Sequence, residues 1–139
     1  MDYSMKDVCD QLGMQYETLR FYCNEGLVPN VKRDRNNYRV FDERNVAWLK
    51  SLLCLKKCGM GIKDMKHYMN LCMEGVSSIP ERKKLLAGRK EYLLEQIAEL
   101  SESIDYINNK QEYFDRILAG EIEYTSNLID TNQPVAQNK

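Results

Sequence analysis

The 139-residue chain lacks the features that mark membrane proteins, secreted proteins and small disulfide scaffolds. No run of about 18 apolar residues occurs, which excludes a transmembrane helix. Residues 1–6 contain no apolar core of the kind that a secretory signal carries, and we therefore expect a cytoplasmic protein. The five cysteines are an odd number, so reduced thiols are expected instead of a disulfide framework.

The chain also has almost no net charge, because it contains 20 Lys and Arg residues and 21 Asp and Glu residues. As an average, this balance argues against a strongly basic nucleic-acid binder. Along the chain, however, residues 15–66 carry 11 basic and 6 acidic side chains (net +5), and residues 76–139 carry 8 and 11 (net −3). Residues 32–39 place four cations around one acid and one aromatic ring, which suits contact with phosphates. The alternative is a solvated charged loop.

Proline and glycine are scarce in the second half of the chain. After Pro80, the stretch that ends at Leu118 has no proline and a single glycine, which predicts a helix of about 40 residues and roughly 60 Å. Ser78 followed by Pro80 and Glu81 predicts the start of this helix, with Ser78 as N-cap in a capping box. The polar residues 131–139 are expected to form a frayed tail.

Apolar residues recur along this helix in alternating steps of four and three, once Lys90 and Gln111 are counted as polar members of the pattern. Such an a/d heptad seam predicts a coiled coil. Packing of the stripe on its own domain is the alternative, but the 78 preceding residues are too few to cover it. We therefore predict a homodimer, whose orientation the seam alone leaves open. The predicted interface residues are Leu86, Leu93, Ile97, Leu100, Ile104, Ile107, Phe114 and Leu118.

The first part of the chain predicts two short helices separated by a turn. Apolar residues at i, i+3, i+4 and i+7 predict a helix over residues 3–12, Gly13 ends it, and a second helix follows over roughly residues 15–24. In a helix-turn-helix of this kind the second helix enters the major groove of DNA, although any two-helix corner has a similar pattern. Residues 31–33 and 38–41 can form two short strands around residues 34–37, which would place the cations on a protruding wing.

These residues resemble the MerR family of transcriptional regulators. The resemblance rests on Thr18-Leu19-Arg20-Phe21-Tyr22, Glu25-Gly26-Leu27-Val28-Pro29, Arg33-Asp34, Asn36 and Tyr38-Arg39, and continues through Leu55, Gly59-Met60, Ile62-Lys63 and Met65. Two departures are visible, since Asn37 replaces the usual glycine of the wing turn and Gly61 replaces the usual serine N-cap. Both substitutes suit their backbone positions, so the fold is still expected.

The resemblance implies a mainly α fold: a winged helix-turn-helix domain with a small β-hairpin wing over residues 1–75, followed by a long C-terminal helix over residues 76–120 that forms an antiparallel coiled-coil dimer. A short tail would occupy residues 121–139. It also implies binding of the homodimer to a pseudo-palindromic operator in a promoter, and distortion of the DNA that lets RNA polymerase use both promoter elements.

Candidate DNA contacts follow from the matching positions. Arg20 and Arg39 suit phosphates or guanine edges, while Tyr22 and Tyr38 offer hydroxyl groups to phosphates or, alternatively, pack in the interior. The full set comprises Gln15, Tyr16, Glu17, Thr18, Arg20, Tyr22, Arg33, Asn36, Tyr38 and Arg39.

Members of the family differ in how they sense a signal. After Leu118 only 21 residues remain, too few for a separate effector-binding domain, so a multidrug-type sensor is not expected. The metal and iron–sulfur sensors of the family have clustered cysteines near the end of the long helix, whereas this chain has none after Cys72 and a single histidine, His67. Neither a metal nor another cofactor is therefore predicted.

Thiol chemistry remains, and Cys54 is the candidate. Packing is the default role of Cys9, Cys23, Cys58 and Cys72, but Cys54 falls off the apolar stripe of its helix. Lys50 and Lys57 could favour its thiolate, although the helix dipole opposes them. The setting Leu53-Cys54-Leu55-Lys56-Lys57 resembles the MerR subgroup that responds to aldehydes, quinones and nitrosative stress through one thiol.

The sequence allows two alternatives to an electrophile-sensing regulator. One is a DNA-binding regulator without a small-molecule sensor, controlled by its abundance or by a partner protein. The other is a small thiol enzyme, for which the five cysteines are the sole support. The sequence has neither a Cys-x-x-Cys pair nor a Gly-x-Gly-x-x-Gly loop, so an enzyme is not expected.

Overall fold

The computed structural model describes residues 1–131 and is mainly helical. The predicted fold class is confirmed, because two short helices and a hairpin precede two further helices and one long helix. The elements are α1 (Met5–Leu12), α2 (Tyr16–Asn24), β1 (Lys32–Arg33), β2 (Arg39–Val40), α3 (Glu43–Lys57), α4 (Ile62–Met73) and α5 (Ile79–Leu118), with a 3-10 turn (Gly75–Ser78) before α5. Of the predicted tail, residues 132–139 lie outside the described residues.

The chain forms two compact units, Met1–Leu93 and the part from Leu94 onward. In the first unit, α1 begins at Met5 and not at Tyr3 as predicted. Ser4 has an extended backbone and is the N-cap, and its side chain forms a capping box with Asp7. The helix therefore begins at the next residue. Tyr3 instead forms an antiparallel bridge with Phe41, and this bridge joins the N-terminus to the strand that leads into α3.

The hydrophobic core of the first unit lies between α1, α2, α3 and α4. Leu19, Leu27, Phe41, Leu49 and Leu52 are completely buried, and the last two belong to the apolar stripe of α3. Asp42 is the N-cap of α3, and its side chain accepts a hydrogen bond from the backbone N–H of Asn45. This core holds α2 in one orientation and leaves its outer face in solvent.

The start of α5 differs from the prediction at Ser78. Its hydroxyl donates to the carbonyl oxygens of Leu71 and Gly75 and accepts from Arg82 Nε at 3.0 Å, so the predicted capping box with Glu81 is not formed. Arg82 Nη2 also donates to the Gly75 carbonyl oxygen at 2.6 Å. The buried serine is thus satisfied by one group each from α4, the 3-10 turn and α5, and α5 continues directly from that turn.

The seam of α5 is uncovered in a single copy. No residue of the helix is buried, although its bounds, Ile79–Leu118, agree with the predicted stretch. In the second unit the seam side chains from Ile97 to Leu118 keep between 49% and 85% of their surface in solvent. The described part of the long helix thus presents a long apolar stripe to solvent.

Candidate nucleic-acid interface

The outer face of α2 carries most of the polar side chains that the sequence singles out. Gln15 is the N-cap, and Tyr16, Glu17 and Arg20 are exposed, while Thr18 is half-buried. Glu17 and Arg20 form an exposed ion pair at 3.7 Å across one helical turn. The turn before α2 is fixed by Gly13 in the left-handed conformation (φ 67°), as the helix-turn-helix prediction requires.

The wing is built around Asp34, the one acid among its cations. Asp34 Oδ1 accepts hydrogen bonds from the backbone N–H groups of Asn36 (2.9 Å) and Tyr38 (3.0 Å). Asn37 has a left-handed backbone (φ 67°), and its carbonyl oxygen accepts from Arg33 Nη1 at 2.8 Å. The aspartate in a tight turn was the signal that could have identified this role.

The wing presents its basic and aromatic side chains to solvent. Lys32 and Arg33 lie on β1, where they pair with Val40 and Arg39 of β2. The ring of Tyr38 is 71% exposed. Arg35 and Asn36 at the turn are exposed as well, so the predicted basic projection is present on the surface.

A hydrogen bond joins the wing to α2. Arg39 Nη2 donates to Asn24 Oδ1 at 2.6 Å, which places the last residue of α2 beside β2. Sequence reasoning missed Asn24, because a contact between residues 15 positions apart leaves no local pattern. At the same end of α2, Lys66 Nζ of α4 pairs with Glu25 Oε2 at 2.9 Å. The α2 helix is thus attached to the wing and to α4.

Tyr22 does not fit the predicted phosphate contact. Its side chain is 2% exposed and lies in the core, and its hydroxyl group is buried without a hydrogen-bond partner among the described residues. Burial raises the pKa of this phenol. The packing alternative therefore accounts for Tyr22, whereas the other predicted contacts on α2 and the wing keep at least part of their side chains in solvent.

The thiols differ in exposure. Cys54 is exposed, whereas Cys9, Cys23, Cys58 and Cys72 are half-buried. Burial raises the pKa of Cys9, with a smaller contribution from Asp10. Burial also raises the pKa of Cys23, although the guanidinium groups of Arg39 and Arg33 act in the opposite direction. Within residues 1–131, no three His, Cys, Asp or Glu side chains come together as a metal site, and no helix is long and apolar enough to cross a membrane.

Comparison with known proteins identifies the family. The model of the MerR helix-turn-helix family of regulatory proteins matches residues 3–72. An HTH-type transcriptional regulator of Haemophilus influenzae is 35% identical over 119 residues, which cover 86% of this chain and 88% of that protein. The chain belongs to the MerR family of transcriptional regulators. The regulator AdhR of Bacillus subtilis is 33% identical over 92 residues, 66% of each chain.

Solved structures agree with this assignment. HiNmlR, a MerR family regulator lacking the sensor domain and crystallised with promoter DNA, has a TM-score of 0.71 and 35% identity, and the match covers 86% of this chain and 90% of that one. A MerR regulator of Bacillus thuringiensis has a TM-score of 0.68 and 29% identity over 81% of this chain and 99% of that one. These MerR relatives are regulators of transcription, and the chain is accordingly a regulator and not an enzyme.

Proposed function

We propose that this MerR regulator binds a pseudo-palindromic promoter operator, with α2 as the helix that enters the major groove. The observation that carries the proposal is the continuous surface formed by the outer face of α2 and the wing, which the bond between Arg39 and Asn24 holds together. Arg20 and Tyr16 face solvent on one side of this surface, and Tyr38 does so on the other. A relative of 35% identity was crystallised on promoter DNA, which supports the same role here.

Gln15, Glu17 and Thr18 are the further base-edge candidates on α2, and Arg33, Asn36 and Arg39 are the phosphate candidates on the wing. Residues 1–75 would form the DNA-binding domain, residues 76–120 the dimerisation helix and residues 121–139 a tail. Side chains that contact phosphates fix the position of a protein on DNA, and those that reach base edges read its sequence.

The second part of the proposal is a homodimer joined along the α5 seam. The steps of four and three are symmetric about residue 102, so an antiparallel pair matches Leu86 with Leu118, Ile97 with Ile107 and Leu100 with Ile104 of the other copy. A parallel pair would place two Lys90 ammonium groups together in the seam, whereas the antiparallel pair places each beside Phe114.

Charge supports the same orientation. Residues 81–90 carry five basic and one acidic side chain (net +4), and residues 114–123 carry one basic and three acidic (net −2). The antiparallel register brings the basic stretch close to the C-terminal end of the partner's α5, where the chain turns back and carries these acids, while a parallel pair would bring the two basic stretches together. Two DNA-binding domains related by a two-fold axis then match the two half-sites of a pseudo-palindrome.

The mechanism in this proposal is DNA distortion. A dimer that holds both half-sites can bend or untwist the spacer between them, and RNA polymerase then meets the two promoter elements in a usable arrangement. The test is footprinting of the promoter upstream of the regulated gene together with a circular-permutation bending assay. Protection of two half-sites with a bend at their centre is expected. Protection of one half-site by a monomer would contradict the proposal.

The proposed signal is modification of Cys54 by an electrophile during stress. Cys54 is exposed on the face of α3 that also carries Lys50 and Lys57, one helical turn away on either side. Its thiolate sulfur would form a bond to an electrophilic carbon of a quinone, and the ring would take up the proton without a leaving group. The added bulk on the exposed face of α3 would shift the dimer between two DNA-bound arrangements.

The alternative, a regulator without a small-molecule sensor, makes a different prediction for Cys54→Ala. If the thiol is the sensor, transcription from the operator no longer responds to a quinone or aldehyde in the variant, while operator affinity is unchanged. A full response in Cys54→Ala would remove the thiol from the proposal and leave control by abundance or by a partner protein.

A further inference from the structure

The segment after α5 turns back and lies along that helix. Gly120, with a left-handed backbone (φ 78°), makes the turn, and Arg116 Nε pairs with Glu121 Oε2 at 3.2 Å. Further along, the Tyr113 hydroxyl and the Thr125 hydroxyl are 3.0 Å apart, and the Thr125 backbone N–H donates to the same phenol oxygen. The side chain and the backbone of Thr125, in that order, lower the pKa of Tyr113. These contacts therefore hold the segment at a defined position along α5.

A groove of about 700 Å³ lies between the helix and the returning segment. Its walls include the aromatic rings of Tyr106, Tyr113 and Tyr124 and the ammonium group of Lys110. Lys110 Nζ is 5.6 Å from the centroid of the Tyr113 ring. The groove is of the size that binds small organic molecules, and it combines aromatic surface with a few polar groups as such sites do.

The groove lies on a different face of α5 from the seam. At 100° per residue, Tyr106, Asn109, Lys110 and Tyr113 fall within about 100° of one another, and the centre of this set is roughly 130° from the seam formed by residues 104, 107, 111, 114 and 118. Phe114 is the one lining residue that belongs to both sets. Dimerisation through the seam would therefore leave the groove accessible.

The lining residues define the chemistry of a ligand. Lys110 is the single charged residue among those described that line the groove, so its ammonium group can pair with one carboxylate of a ligand. Aromatic walls favour a planar ring, which stacks offset or edge-on against tyrosine. Asn109, Thr125 and Ser126 add amide and hydroxyl groups that can donate hydrogen bonds to a carboxylate.

We propose that this groove is a binding site for a small aromatic carboxylate, whose ring lies among Tyr106, Tyr113 and Tyr124 and whose carboxylate pairs with Lys110. The proposal does not depend on the thiol chemistry of Cys54, because the two sites share no residue. A ligand here would fix the returning segment against α5.

The test is isothermal titration calorimetry of the full chain with 2-naphthoate, beside the neutral analogue 2-naphthylmethanol. We expect saturable binding of the carboxylate with a Kd of about 0.1 mM, and weaker binding of the alcohol. Lys110→Gln should weaken naphthoate binding about three- to fivefold, as expected for an exposed ion pair, while the control Lys84→Gln on the same helix has no effect.

A second pair of variants tests the aromatic wall. Tyr124→Ala should weaken binding about fivefold, and Tyr124→Phe, which keeps the ring, should retain it. Circular dichroism establishes that each variant keeps its helix. The proposal is overturned if naphthoate shows no saturable binding up to about 10 mM, if the alcohol binds equally well, or if Lys84→Gln and Lys110→Gln weaken binding equally.

Discussion

Arg89 of the long helix donates a hydrogen bond from Nε to the carbonyl oxygen of Cys58 at 2.6 Å. This carbonyl belongs to the C-terminal end of α3, so the guanidinium group neutralises the negative end of the helix that carries Cys54. The same guanidinium group lies 4.3 Å from the centroid of the Tyr92 ring. Arg89 is therefore a direct connection between α3, the helix of the proposed sensor, and the long helix α5.

Gly59 is required by this connection. It has a left-handed backbone (φ 79°), and a Cβ atom built there would overlap Arg89 Nη2. We expect Gly59→Ala to lower the free energy of unfolding by about 1–2 kcal/mol, because both the backbone strain and the displaced guanidinium group are unfavourable. Urea denaturation measures the change.

The matched control is Gly88→Ala, inside the first third of α5, where nothing lies within 4 Å of the added atom. Since alanine is the better helix former, we expect this substitution to raise the free energy of unfolding by about 0.5–1 kcal/mol. Equal effects of the two substitutions would show that the Arg89 contact does not constrain Gly59.

Two variants separate the charge of Arg39 from its hydrogen bond to Asn24. Arg39→Ala removes a cation and its bond to Asn24, and we expect weaker binding to every DNA sequence together with a shallower salt dependence, by about one unit of slope for each wing. Asn24→Ala breaks the same bond but keeps the cation. Fluorescence anisotropy over a series of salt concentrations should therefore show a weaker complex with an unchanged slope for Asn24→Ala. If Arg39→Ala leaves affinity and slope unaltered, the wing is not part of the interface.

The seam prediction concerns Leu100, which is 64% exposed in one copy and faces Ile104 of the other copy in the proposed register. Leu100→Lys should weaken the free energy of dimerisation by about 2 kcal/mol for each copy, because it removes apolar burial and places a charge in the seam. Sedimentation equilibrium should then show a monomer at concentrations where the unsubstituted chain is a dimer. Glu99→Lys, one residue away and outside the seam, makes a matched control that should remain dimeric. A dimeric Leu100→Lys would contradict the register.

The sequence predicts best where a signal is local. The bounds of α5 and the left-handed turn at Asn37 follow from the spacing of glycine, proline and asparagine, and both agree with the structure. Ser78 was misassigned because its hydroxyl finds an acceptor seven residues away, at Leu71, and not in its own helix. Asn24 and Arg89 were missed for the same reason, since their partners are distant in the chain.

The thiol prediction is a ranking of reactivity among the five cysteines. Cys54 is exposed, whereas Cys9 and Cys23 are half-buried, and burial raises the pKa of both of these thiols. Because the thiolate is the nucleophile, iodoacetamide at neutral pH should alkylate Cys54 first, by at least about tenfold over Cys9 and Cys23. Peptide mass spectrometry at short reaction times measures the order. In the Cys54→Ala variant the fast alkylation should be absent, while the slower alkylation of the other cysteines should be unchanged. If a half-buried cysteine reacts before Cys54 in the folded dimer, accessibility does not govern modification, and the sensor would have to be sought at that other thiol.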